Sequence, residues 1–191
     1  MQITYSGQTE YTIDIEGYKK VLPLVQLNRD LHIASFVMLG DVGCTNHCAL
    51  RLARLLRDVE FDYMVCPEAK VLPLAQALCT ELGRAEFIVF RKSAKSYMRE
   101  PLEAHVKSIT THSEQLLVID GDEADKIRGK RILLIDDVVS TGGTFKAMQQ
   151  LLNRVDAKII GYAAALREGD SFPTDQLTYL ADLPLFPHAK A

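Results

Sequence analysis

An α/β fold, built on a mostly parallel sheet with helices over both faces, is the class that this sequence predicts. Three observations point to it. From about residue 31 onward, strand-like apolar runs alternate with apolar residues at helical spacing. The most apolar run, 131–136 (RILLID), ends in two adjacent aspartates, and a Ser-Thr-Gly-Gly-Thr turn then opens a helical pattern. Apolar residues make up 48% of the 191 and charged residues 25%, an ordinary balance for one globular domain with a full core.

Taken in order, the first 25 residues read as short strands, QITYS and EYTIDI, with a polar connection. Residues 31–39 (LHIASFVML) are a buried-strand candidate and the first strand of the core. Residues 49–59 place apolar side chains at 49, 52, 53, 56 and 59, one face of a helix. A second strand follows at 61–66 (FDYMVC). A helix over 71–83 tolerates Pro73 near its start and stops at Gly83. A third strand lies at 86–90 (EFIVF). Residues 91–112 then turn polar and partly basic without sustained periodicity, and a loop of that length inside a compact domain reads as a functional lid. Strands resume at 115–120 (QLLVID) and 131–136, separated by a turn region. A helix over 143–155 carries Phe145, Met148, Leu152 and Val155 on one face. Residues 159–166 (IIGYAAAL) form a last core strand, and 177–183 (LTYLADL) a weaker terminal one.

Several function classes are not favoured by the composition. A formal charge of −3 gives no sign of a nucleic-acid surface. No apolar run approaches the roughly 18 residues of a membrane span. The first residues lack the basic start and apolar core of a signal peptide, so a cytoplasmic protein is expected. Of the four cysteines, Cys44 and Cys48 flank His47, but C-x3-C alone is weak evidence for zinc, and reduced core thiols are the expectation. No protein-held metal is expected.

The stretch from Asp136 to Thr144 carries the chemistry. In open α/β sheets, ligands bind beyond the carboxyl ends of the strands, where Asp136 and Asp137 fall. Both are expected to be ionised, and two carboxylates side by side suit a vicinal diol or a metal-bound ligand. Ser140, Thr141, Gly142, Gly143 and Thr144 follow. Glycine lets the backbone approach a ligand, and free N–H groups at a helix start favour an anion. Diol-binding carboxylates a few residues from a phosphate cradle imply a sugar phosphate. The P-loop and dinucleotide fingerprints are both absent.

The segment LLIDDVVSTGGT resembles the 5-phosphoribosyl-1-pyrophosphate (PRPP) binding motif of type I phosphoribosyltransferases, and the element order agrees over roughly residues 30–170. The resemblance implies a parallel sheet flanked by helices and a small hood, here about 1–30 with about 167–191. It also implies a mobile active-site loop, about 91–112, and usually a homodimer. Asp136 and Asp137 would then bind the ribose diol at the catalytic centre, and the 140–144 turn the 5-phosphate. Pro67-Glu68-Ala69-Lys70 is similar to the pyrophosphate loop of adenine-type members, with backbone amides and Lys70 on the leaving group. Arg91, Lys92 and Lys95 are similar to a basic run that adds positive charge there. Mg2+ would arrive with PRPP.

The motif is nearer the adenine type than the hypoxanthine-guanine type. Adenine enzymes usually carry a Glu-Tyr pair in the loop, whereas 108–112 here reads SITTH, and Glu100 and Glu103 lie earlier. The base pocket is expected around Leu166 and Arg167. The reading is therefore a purine phosphoribosyltransferase, adenine favoured. Alternatives are an enzyme for xanthine or hypoxanthine, a non-catalytic PRPP- or nucleotide-binding regulator of the same fold, and a sugar-phosphate enzyme of another type.

Overall fold

A computed structural model describes residues 1–107 and 114–189. Strands β1 (Glu10–Ile15), β2 (Tyr18–Asn28) and β3 (Leu31–Ala34) precede helix α1 (Val42–Leu56). Next come β4 (Tyr63–Pro67), α2 (Leu72–Glu81), β5 (Ile88–Phe90), β6 (Leu102–Lys107), β7 (Glu114–Ile119) and α3 (Gly121–Ile127). The chain continues through β8 (Arg131–Val139), α4 (Gly143–Arg154), β9 (Lys158–Glu168), β10 (Leu177–Leu183) and β11 (Leu185–Pro187).

Five strands form the central sheet in the order β10-β9-β8-β4-β5, with every pairing parallel. β8 lies in the middle, so Ile132, Leu133, Leu134 and Ile135 are all buried, and their unbroken apolar run follows from having two covered faces. On one face pack α1, α2 and the hood, around Leu52, Leu56, Leu74 and Leu78. The other face is covered by α3, α4 and the β6–β7 hairpin, around Phe145, Met148, Leu151 and Ile119. α1 begins earlier than its apolar spacing suggests. Asp41 caps it by accepting the Cys44 amide at 3.0 Å, and the same carboxylate pairs with Lys20 of β2. That pair pins the hood hairpin to the start of the helix.

Five sequence expectations change. Residues 31–39 are not a core strand; Leu31–Ala34 belongs to the antiparallel hood sheet β1-β2-β3-β11, and an apolar run alone does not distinguish the two settings. β2 lies outside the expected short strands because Val21, Val25 and Leu27 are exposed, so apolar residues fall on both faces. At the C-terminal end only β11 joins the hood, since β10 pairs with β9 in the central sheet. The 91–112 stretch contains β6, which forms an antiparallel hairpin with β7; residues 108–112 lie outside the described residues. The hairpin is hung on the end of β5 by reciprocal backbone hydrogen bonds between Arg91 and Val118, at 2.7 and 2.8 Å. The expected turn after β7 holds α3, capped by the Asp120 side chain.

All four cysteines are buried and none is in a disulfide. Cys44 and Cys48 lie on the inner face of α1 beside Ala49 and Leu52. His47 points elsewhere, its Nε2 donating to the Ile15 carbonyl at 2.8 Å.

Candidate active site

The carboxyl ends of β4, β8 and β9 open into a cleft of about 440 Å³. Lys70, Lys92, Asp136, Asp137 and Thr144 line one part of it, and Ile33, Phe36, Val138 and Leu183 give it apolar walls. It sits where a parallel sheet offers its ligand crevice.

β8 extends past the aspartates to Val139, so both are held on a ladder strand, paired on one side to β9. Asp136 is 7% exposed, whereas Asp137 is only partly covered. The Asp137 amide donates to Asp136 Oδ1 at 2.9 Å. Burial, reinforced by the Asp137 charge, pushes the Asp136 carboxyl well above the usual carboxylate range. In the free protein Asp136 therefore holds its proton more readily than the expected pair of ordinary ionised carboxylates would.

At the turn that follows, the two glycines are not equivalent. Gly142 is the cap of α4 in the left-handed conformation, φ 73°, and a Cβ there would overlap the Phe172 ring. Gly143 has no positive φ, and a Cβ there would make only an ordinary contact, with Thr141 Oγ1 nearest at 3.7 Å. Among the described residues no side chain caps α4, so its first amides remain available for an anion. Thr144 reaches the cleft, Thr141 is exposed, and Ser140 lies beside Glu168.

The expected pyrophosphate residues divide into two groups. Ala69, Lys70 and Lys92 line the cleft. Glu68 instead ties the β4 turn to the β5 turn: its carboxylate accepts the Lys92 amide at 3.0 Å, and Arg91 Nε lies 3.0 Å from its other oxygen. That ion pair is not aligned as a hydrogen bond. The Lys92 amide, with Arg91 and Lys95 nearby, holds the Glu68 carboxyl below its ordinary range. The amides of Glu68 and Ala69 already donate to the carbonyls of Phe90 and Pro67, both at 2.8 Å. They are therefore not free for a ligand, a correction to the expected amide cradle. Lys95 Nζ donates to Ser93 Oγ at 2.7 Å, outside the cleft lining.

Leu166 and Arg167 do not line the cleft either. Leu166 is fully buried in the core, and Arg167 is turned to β10, where Nε donates to Asp182 at 2.7 Å and the guanidinium lies over Tyr179. The next residue, Glu168, does line it, as do Ser35 and Phe36 of the segment after β3. Sequence reasoning missed them. The only available signal for Glu168 was strand alternation, which puts it on the opposite side of β9 from Arg167.

A parallel sheet with an acidic pair at the strand ends, and a glycine-opened helix beside it, is an α/β architecture suited to a phosphorylated ligand. Within that class the chain belongs to the phosphoribosyl transferase domain family, whose model matches residues 46–176. An adenine phosphoribosyltransferase of Kosmotoga olearia is 33% identical over 126 residues, 65% of this chain and 69% of that protein. A hypoxanthine/guanine phosphoribosyltransferase of Methanothermus fervidus is 36% identical over 111 residues, 58% of this chain and 54% of that protein. Another relative, from Pseudothermotoga lettingae, is matched over 62% of its length, so this chain spans less than two thirds of several relatives. In fold, the chain is similar to the crystal structure of adenine phosphoribosyltransferase from Thermoanaerobacter pseudethanolicus, with a TM-score of 0.69 at 20% identity, covering 84% of this chain and 95% of that one. The Trypanosoma brucei enzyme, solved with AMP, pyrophosphate and ribose-5-phosphate, aligns with a TM-score of 0.61 at 17% identity over 79% of this chain and 70% of that one.

Proposed function

We propose that the protein is a purine phosphoribosyltransferase, with adenine as the favoured acceptor, converting PRPP and a purine to a nucleoside monophosphate and pyrophosphate. The supporting observation is that one cleft gathers Asp136, Asp137 and Thr144 with two lysines from separate turns, Lys70 and Lys92. In this reading Asp136 and Asp137 take the ribose 2- and 3-hydroxyls. Ser140, Thr141 and Thr144 join the first amides of α4, at Gly142 and Gly143, around the 5-phosphate. Lys70 and Lys92 face the pyrophosphate, while Glu68, Arg91 and Lys95 hold their turns in place.

With diol and 5-phosphate both anchored, the sugar is fixed and C1 is left free to move. The C1–oxygen bond to pyrophosphate breaks through an oxocarbenium-like state, and the base nitrogen forms the new bond and loses its proton. The departing oxygens gather negative charge, which Lys70 and Lys92 stabilise more in the transition state than in the ground state. Mg2+ fits the donor set. Two strand-end carboxylates facing substrate oxygens suit an ion that typically takes one or two protein carboxylates and completes its shell with phosphate and water. When bound with PRPP it would neutralise leaving-group charge. In this reading the β6–β7 hairpin, hung on the end of β5 through Arg91 and Val118, is the element that excludes water from the cation. A cytoplasmic homodimer belongs to this reading, and Val37, Leu39 and Val42 are exposed apolar side chains that a second copy would cover.

The test is incubation with Mg2+, PRPP and each of adenine, hypoxanthine, guanine, xanthine, orotate and uracil, followed by mass detection of the nucleotide. One monophosphate formed well above the blank establishes the reaction and names its base. Silence with every base, while PRPP still raises Tm, would replace the enzyme by a PRPP-binding regulator. Lys70→Ala should lower kcat/KM for PRPP by about 10- to 100-fold, since a charge-assisted contact is worth roughly 1.5–3 kcal/mol. An unchanged value would favour a sugar-phosphate enzyme with no pyrophosphate to hold.

A further inference from the structure

The cleft is chemically divided. Its charged part is accounted for by the sugar, phosphate and pyrophosphate contacts above. The remainder is walled by Ile33, Ala34, Phe36, Val138 and Leu183, and among these apolar side chains stand only two polar ones, Ser35 and Glu168. The wall is assembled from both parts of the molecule. Ile33 and Ala34 come from hood strand β3, while Val138, Glu168 and Leu183 come from the ends of three adjacent core strands. A flat, mostly apolar heterocycle suits such walls, and a polar group set into them fixes its orientation and identity.

We propose that Glu168 is the specificity-determining residue for the acceptor, hydrogen-bonding the edge of the purine that carries the 6-substituent. The inference rests on the phosphoribosyltransferase reading and adds to it which side chain selects the base. Glu168 closes β9, one residue beyond Arg167, whose Nε and Nη2 are both engaged by Asp182 on β10. The register Leu183↔Glu168 and Val139↔Arg167 places it between the end of β10 and the Ser140 turn of β8. No cation is paired with Glu168 among the described residues. The charged groups in the same cleft are Lys70, Lys92, Asp136 and Asp137, all assigned above to PRPP.

A carboxyl group offers two patterns. Protonated, it donates one hydrogen bond and accepts another, which matches adenine, with its 6-amino donor beside a ring-nitrogen acceptor. Ionised, it only accepts, which matches the two adjacent N–H donors of guanine and leaves the adenine ring nitrogen facing a second acceptor. Burial raises the Glu168 carboxyl above its ordinary range, with the Ser140 hydroxyl opposing in part. Raising the proton affinity widens the pH range in which the adenine pattern is present. Use of adenine should therefore fall as pH rises through the Glu168 titration, while use of guanine should rise.

The experiment measures kcat/KM for adenine and guanine with wild type, Glu168→Gln and Glu168→Ala from about pH 5 to about pH 8, spanning the region above the ordinary carboxylate value of about 4.3. PRPP affinity is measured alongside by calorimetry. Glutamine keeps a donor and an acceptor at all pH values, so this variant should retain adenine turnover with the wild-type pH dependence flattened. Alanine should raise the adenine KM by about 10-fold or more and narrow the adenine-to-guanine ratio, with PRPP affinity within about twofold of wild type. A Glu168→Ala enzyme with the wild-type adenine KM, base ratio and pH profile would overturn the proposal and leave the transferase reading standing. A wild type that transfers to no base would overturn both.

Discussion

Replacing Asp136 and Asp137 together by asparagine is expected to weaken PRPP binding by at least about a hundredfold while leaving the fold intact. Each carboxylate loses a charge-assisted hydrogen bond to a sugar hydroxyl, worth roughly 1.5–3 kcal/mol, and the pair loses its ability to face Mg2+. Asparagine is close in shape, and its oxygen can still accept the Asp137 amide hydrogen bond that Asp136 Oδ1 takes at 2.9 Å. Calorimetric titration with Mg2+ and PRPP reads the effect, and unchanged affinity would remove the diol assignment. Stability should move the other way for the single Asp136→Asn change. Burial raises the native Asp136 above its unfolded value, so the native state binds more protons than the unfolded state between the two. Wild-type stability from this group is then greatest at low pH and is lost as pH rises through the native titration. Asp136→Asn does not share that loss. The ligand-free variant should melt above wild type near neutral pH, with the gap closing on acidification.

Gly142→Ala should lower Tm by roughly 5–15 °C, whereas Gly143→Ala should change it little. At Gly142 the added methyl meets both a left-handed φ of 73° and the Phe172 ring, which itself packs against Phe145 and Tyr162. Those costs are about 1–2 kcal/mol for the backbone and about 1–3 kcal/mol for overpacking. In a chain of this size each kcal/mol moves Tm by about 2–4 °C. The turn cannot then present the first amides of α4 in place, and KM for PRPP should rise by about 10-fold or more. At Gly143 neither obstacle exists, so its change should remain within about 0.5 kcal/mol. Equal melting temperatures for the two variants would show that the turn does not depend on the Gly142 conformation. Thermal melts and PRPP kinetics on both variants make the comparison.

Where a structural cause acts over a few residues, the chain announces it. β8 is an unbroken apolar run because it is central, α4 follows from the spacing of Phe145, Met148 and Leu152, and the acidic pair with its glycine turn is contiguous. The hood and the apolar wall of the cleft have no such local cause. β2 is long and carries apolar side chains on both faces, Leu22 buried and Val21, Val25 and Leu27 exposed, so its pattern resembles neither a core strand nor a helix. Leu31–Ala34 has core composition but acquires hood neighbours through pairing with β11 at the far end of the chain. Leu166 and Arg167 sit at the end of the last apolar core run, which is all that local sequence offers toward a base pocket. Pairing with β10 sends Arg167 to Asp182, and alternation leaves Glu168 at the cleft. Glu68 reads as a ligand residue in its local motif, yet its task depends on a backbone amide in another turn.

Both ends of the polypeptide meet in the hood: Gln2 bridges Leu185, Tyr5 bridges His188, and Ile33 pairs with Leu185. These are among the longest-range pairings in the molecule, whereas β4 through β9 are joined by nearer neighbours. Such distant contacts close late, because the entropy of bringing remote segments together is lost before the pairing rewards it. The strands that hold the phosphate turn need only those nearer pairings, whereas the neighbour of Ile33 comes from the opposite end of the sequence. The sugar-phosphate half of the cleft can therefore form first on folding, and the wall enclosing the acceptor is completed only when β11 pairs with β3.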